Sequence, residues 1–173
     1  MKRIILLSMM LMPGIASAYI PAYIPSAYVS IAKEYNIPAE VLYAVALVES
    51  EHPDYKRPWP WAANIDGESL YFESREAMYK ALTKAKDEGK GFAAGTMQIR
   101  WRWHKQRFRT LWDATNPYEN IRAGAAYLSE LFRKSRSWDV AVSHYHTQGD
   151  QEVANKYREK VQQRLLLVLA GKR

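Results

Sequence analysis

Eight consecutive apolar residues, Val41 to Val48, lie inside a segment that opens on Pro38 and reaches Ser50. Proline suits the first turn of a helix, and a helix that is apolar on most faces is a buried one. Upstream, Tyr19 to Pro25 forms a proline-punctuated, extended lead-in. Ser26 is a candidate N-cap for a short helix reaching about Tyr35, ended by Asn36. Downstream, Pro53, Pro58 and Pro60 exclude regular helix. Ala63-Asn64-Ile65 and Ser69-Leu70-Tyr71-Phe72 flank Asp66-Gly67, a dipeptide suited to a tight hairpin turn.

Helical spacing then takes over. Ser74 caps a predicted helix to about Glu88, closed by Gly89, with Ala77, Met78, Ala81, Leu82 and Ala85 on its apolar side. Gly91 to Thr96 reads as a loop leading into Met97-Gln98-Ile99. Residues 100–112 are helical in part. Asn116-Pro117 starts a helix whose face carries Ile121, Ala125, Leu128 and Phe132. A short helix follows from Trp138 to about Tyr145, then a turn at Gln148-Gly149-Asp150. The last helix presents Val153, Tyr157, Val161, Leu165 and Val168 on one stripe. Together these elements predict a single, mainly α domain with one small β-hairpin insertion and no internal repeat.

The N-terminus has a different character. Lys2-Arg3 precede a short apolar run, Ile4 to Met12, then Pro13-Gly14 and Ala16-Ser17-Ala18. That order predicts a secretory signal, residues 1–18, cut after Ala18, with the working domain spanning 19–173 in the periplasm. The run is too short to span a bilayer, so no stable membrane anchor is expected. Loss of Lys2 and Arg3 lowers the formal charge from +7 to +5. The chain has no cysteine, which excludes a disulfide framework, a thiolate metal site and a cysteine nucleophile. The histidines show no zinc spacing, and neither metal nor cofactor is expected. Arg100 to Arg109 carries five Lys/Arg and no acid among aromatics, a pattern compatible with a nucleic-acid surface. In an exported protein an anionic wall or membrane surface is the more natural partner, and no nucleic acid is expected.

Glu49 carries the sharpest chemistry. It continues the stripe of Leu42 and Val45 at helical spacing, at the helix C-terminus. Burial and the helix dipole would both raise its pKa, as a general acid requires. The alternative is a solvated Glu just past the helix end. Glu51 and Asp54 are candidates for a second carboxylate, although Glu51 would point away from Glu49 in a continuing helix. Gln98 offers amide groups to sugar hydroxyls or, equally, to neighbouring loops. Six tryptophans and twelve tyrosines could supply stacking platforms, with Trp59-Pro60-Trp61 the pair least suited to pure packing.

Val48-Glu49-Ser50, Gly95-Thr96-Met97-Gln98-Ile99, Asn120 to Leu128, and Ala141-Val142-Ser143-His144-Tyr145-His146 resemble, in order, the motifs of the soluble lytic transglycosylase family. The similarity runs from about Ile24 to Tyr157. It implies a lysozyme-like fold and cleavage of the MurNAc-β-1,4-GlcNAc bond of peptidoglycan glycan strands without water, leaving 1,6-anhydro ends. By resemblance Glu49 is the lone catalytic acid/base. Ser50, Gly95, Met97, Gln98, Tyr145 and His146 fall at cleft or substrate positions, with Tyr145 matching the tyrosine that faces the Glu. Thr96 stands where Leu is usual and His146 where Asn is usual. The long stretch Trp59 to Phe92 is similar to that of small relatives serving conjugation or type IV secretion machines, which implies such an apparatus as a partner. A lysozyme-type hydrolase and a non-catalytic peptidoglycan-binding component are the alternatives.

Overall fold

A computed structural model describes residues 24–171. The predicted export signal and the lead-in to Tyr23 lie outside the described residues.

The helices fall close to where the pattern places them. Helices α1 (Ser26–Glu34) and α2 (Ala39–Ser50) open the domain. Pro25 rather than Ser26 occupies the N-cap of α1, and the Ser26 side chain makes no capping bond. Ser74 does cap α3 (Arg75–Asp87), accepting from the Ala77 amide at 3.1 Å. Two very short helices, α4 (Trp101–His104) and α5 (Leu111–Ala114), flank a 3₁₀ turn. Asn116 caps α6 (Pro117–Ser135) through two backbone amides, with Pro117 in the first turn, where its missing N–H costs nothing. Helices α7 (Trp138–His146) and α8 (Gln151–Leu169) complete the chain, α8 capped by Asp150.

The predicted hairpin is present as β1 (Ala62–Ile65) and β2 (Glu68–Tyr71). Asp66 and Gly67 both take positive φ, 49° and 93°, the signature of a type I′ turn. The predicted loop after Gly91 instead contributes a strand, β3 (Phe92–Ala94), and Ile99–Arg100 forms β4. The result is a four-stranded antiparallel sheet in the order β2-β1-β3-β4, larger than the expected hairpin. Ala94 pairs with both Ala63 and Ile99, so the Gly95–Gln98 turn sits between adjacent strands.

Two apolar cores support this layout. The larger joins α1, α2, α6, α7 and α8, with Leu42, Val45, Met97 and Leu128 fully buried. Each such side chain contributes about 1.5–3 kcal/mol on burial. The smaller core sets α3 and α5 against the sheet around Met78 and Leu82. Helix α8 packs along α2 and α7, placing its one tyrosine, Tyr157, beside the end of α2. Among the described residues no helix is long and apolar enough to cross a membrane.

Candidate active site

The C-terminal turn of α2 delivers Glu49 to the floor of a cavity of about 650 Å³. One side is the sheet, represented by Asn64, Ser69 and Ala93; the opposite wall comes from Tyr127, Tyr145 and His146. His104, Tyr127 and Tyr145 make a continuous aromatic wall, with ring centroids 4.4 and 5.3 Å apart in sequence. Trp103 lines the rim and is strongly exposed. An exposed tryptophan beside polar groups is the usual makeup of a carbohydrate platform.

Glu49 is only partly exposed, and burial pushes its carboxyl from the ordinary value of 4.5 up to about 7. Two features pull the other way: the Tyr157 hydroxyl, which donates to Oε1 at 2.6 Å, and the charge of Arg100. Burial wins because desolvation penalises the carboxylate more than one donor and one distant cation repay. The group therefore sits near the neutral–ionised midpoint at physiological pH, suited to give and then take a proton. His146 stacks on the Tyr157 ring at 4.8 Å with an 11° interplanar angle, packing that tyrosine from the solvent side. The imidazole of His146 is held below its ordinary value by partial burial, Arg100 and Lys160, which favours the neutral ring.

The motif residues divide into two groups. Glu49, Gln98, Tyr145 and His146 line the cavity. Ser50, Gly95 and Met97 do not; they fix the turn that shapes it. The buried Ser50 hydroxyl donates to the Thr96 carbonyl at 2.8 Å and lies 3.1 Å from that of Ala46, so it is engaged with backbone. Gly95 has φ of +77°, and a Cβ there would sit 2.3 Å from Asn120 Cγ. Met97 has no exposed surface and packs against Gly124, where a Cβ would meet its side chain at 2.7 Å. Thr96 is buried beside Asn120, so its replacement of the usual Leu is a packing change. Gln98, itself at φ +44°, donates from Nε2 to the Gly95 carbonyl at 2.9 Å.

Asn120 is the hub of this arrangement. It is fully buried, accepts from the Met97 amide at 2.9 Å and donates to the Ala94 and Ala114 carbonyls. One amide thus ties α6 to β3, the turn and α5, satisfying groups that would otherwise be buried unpaired.

Several expectations are corrected. The hydroxyl bonded to Glu49 comes from Tyr157, which the pattern assigned to a core stripe; Tyr145 shares the cavity lining with Glu49, and its hydroxyl donates to the Met97 carbonyl at 2.9 Å. Trp59 and Trp61 do not line the cavity. Trp59 Nε1 donates to the Phe72 carbonyl at 2.7 Å and stacks on Tyr55, while Trp61 packs on the smaller core. The basic run is not one solvated face: Arg107 grips Glu130 with two hydrogen bonds and Arg109 pairs with Asp113. Arg100 alone of its arginines lines the cavity. Glu51 is ion-paired with Arg164 at 2.6 Å, and the Asp54 side chain is 85% exposed beside His52. Glu49 is the only carboxylate among the residues lining the main cavity.

A helical domain with a small antiparallel sheet, and one part-buried carboxyl of raised pKa at the base of an aromatic-lined cleft, has the makeup of a glycan-cleaving acid/base enzyme. The family model for the transglycosylase SLT domain matches residues 27–165, and the chain belongs to that family. The domain is a mainly α, lysozyme-like one with lytic transglycosylase activity directed at peptidoglycan, which lies outside the cytoplasm. No curated protein and no solved structure matches the chain.

Proposed function

We propose that this protein cleaves the MurNAc-β-1,4-GlcNAc bond non-hydrolytically, leaving a 1,6-anhydro-MurNAc end, with Glu49 as the one acid/base. The observation that carries the reading is the single carboxyl of the main cavity, raised to about 7. Protonated Glu49 gives its proton to the glycosidic oxygen as the C1–O bond breaks, and GlcNAc leaves with a free 4-hydroxyl. The resulting carboxylate takes the proton of the muramic 6-hydroxyl while O6 bonds to C1. Glu49 ends protonated, and no water enters. Because the nucleophile belongs to the substrate, the site needs no second carboxylate of the kind a hydrolase uses.

In this reading Tyr157 holds the carboxyl in orientation. Gln98, whose Oε1 has no protein partner among the described residues, hydrogen-bonds a sugar substituent. Tyr145 and His146 close the wall over the reacting rings, while Ser50, Gly95 and Met97 keep the turn in place. The lysozyme-type alternative would draw on Glu51 or Asp54, but one faces Arg164 and the other lies in solvent. An exported enzyme with this activity would open the wall locally for an envelope-spanning conjugation or type IV secretion apparatus.

Mass spectrometry of digested sacculi tests the chemistry. The expected products are muropeptides one water lighter than hydrolysis products, absent with Glu49→Gln. Reducing-end muramic acid as the main product would replace this reading with the hydrolytic one.

A further inference from the structure

The cavity does not end at Glu49. A second chamber, of about 640 Å³, opens on its other side, and Glu49 and Ser69 line both. The two halves differ in chemistry. The first is aromatic and amide-rich, whereas the second is bounded by Lys56, Lys160 and Arg164, with Tyr71 at its edge. Glu51 is the one acid of this chamber besides Glu49, and it is consumed by Arg164. Lys56 and Lys160 form no ion pair among the described residues.

Lys56 is presented by a tightly built loop. Its amide donates to the His52 carbonyl at 3.0 Å, the His52 amide donates to the Arg57 carbonyl at 2.9 Å, and Glu51 bridges Pro58. Lys56 itself takes φ of +50°, a conformation that a non-glycine residue adopts at some cost. The neighbouring Arg57 is drawn aside over the faces of Tyr55 and Trp59. Lys160 projects from α8, across the chamber's other boundary. Two unpaired cations from separate elements thus flank a chamber continuous with the reacting carboxyl.

We propose that this second chamber binds the carboxylate-bearing stem peptide of the muramyl residue seated beside Glu49, with Lys56 and Lys160 as its specificity-determining residues. The proposal rests on the function proposed above. Because Glu49 and Ser69 line both chambers, a muramyl residue seated at Glu49 lies at the mouth of the basic one. The anionic groups that a peptide-bearing strand offers to Lys56 and Lys160 there are the carboxylates of its peptides. Bare glycan offers the lysines only the lactyl carboxylate that peptide removal frees, held close to the sugar ring, whereas a stem peptide carries several carboxylates further out, so the chamber favours peptide-bearing strands over bare glycan.

The test separates binding from catalysis. Glu49→Gln protein is mixed with intact peptide-bearing strands or with strands stripped of peptides by an amidase, and bound protein is measured at low and high salt. The expected result is binding about tenfold tighter to the peptide-bearing strands, as two partly screened ion pairs allow. High salt and the added Lys56→Gln/Lys160→Gln pair should both erase that advantage. Equal binding to both strands overturns the proposal, as does an equal loss on both when the lysines are replaced. Peptide-dependent binding with no lysis by the wild-type protein would support the chamber's role while refuting the catalytic reading. Circular dichroism of the triple variant confirms that it is folded.

Discussion

Replacing Glu49 with Gln should abolish lysis and, at the same time, stabilise the protein in a pH-dependent way. The folded carboxyl titrates at about 7 against an ordinary value of 4.5. The folded state therefore holds this proton more tightly than the unfolded chain, and unfolding releases it between those two pH values. Wild-type stability is fullest below pH 4.5, falls as pH rises towards 7, and is flat above. At about 1.36 kcal/mol per pH unit, the full effect is about 3 kcal/mol. Gln is a near-isostere of the protonated acid, can still accept from the Tyr157 hydroxyl, and has no proton to lose. Denaturant unfolding should thus find the two proteins alike near pH 4 and the variant about 3 kcal/mol more stable near pH 8. In thermal melts at pH 8 that corresponds to about 6–12 °C for a domain of this size. A difference of the same size at both pH values would refute the reasoning, because it would place the effect in packing rather than in proton linkage.

Other substitutions probe the neighbouring groups. Tyr157→Phe removes the donor that favours the ionised form of Glu49, so its pKa should rise further. The alkaline limb of kcat/KM should move up from about 7 by roughly one pH unit, the worth of a charge-assisted hydrogen bond. An unmoved limb would show that the bond does not govern the titration. Gly95→Ala drives a Cβ to 2.3 Å from Asn120 Cγ at a φ of +77°, and should cost about 3 kcal/mol in denaturant unfolding. Asp54→Asn alters a side chain that is 85% exposed and should keep peptidoglycan lysis within about twofold of wild type. A severe loss of turnover there would instead favour a two-carboxylate hydrolase.

The helices, the Ser74 and Asn116 caps and the Asp66-Gly67 turn were legible in the sequence because each depends on residues close together in the chain, whereas Ser26 yields the N-cap of α1 to Pro25. An apolar stripe, a Ser or Asn cap and a positive-φ dipeptide carry their own local cause. The placement of Glu49 was legible for the same reason: its spacing from Leu42 and Val45 puts it on the buried side of α2. Strand β3 was not. Phe92-Ala93-Ala94 is too short to show an alternating pattern, and it is a strand only because Ala63 to Ile65 supply its partners.

What the tertiary structure alone decided is which side chains meet Glu49. Tyr157 lies 108 residues away, and on a helical stripe its ring is indistinguishable from core; only the packing of α8 along α2 carries the hydroxyl to Oε1. The same holds for Ser50, Gly95 and Met97. Their chemistry permits contact with a sugar, yet burial turns them inward to hold the turn, with Asn120 reaching in from α6 to bind it. The basic run likewise divides according to which elements pack beside it. Local sequence determined where the chain would be helical and where one carboxyl would be desolvated. Long-range packing determined the partners of that carboxyl, because hydrogen bonds and burial depend on distances that chain separation does not encode.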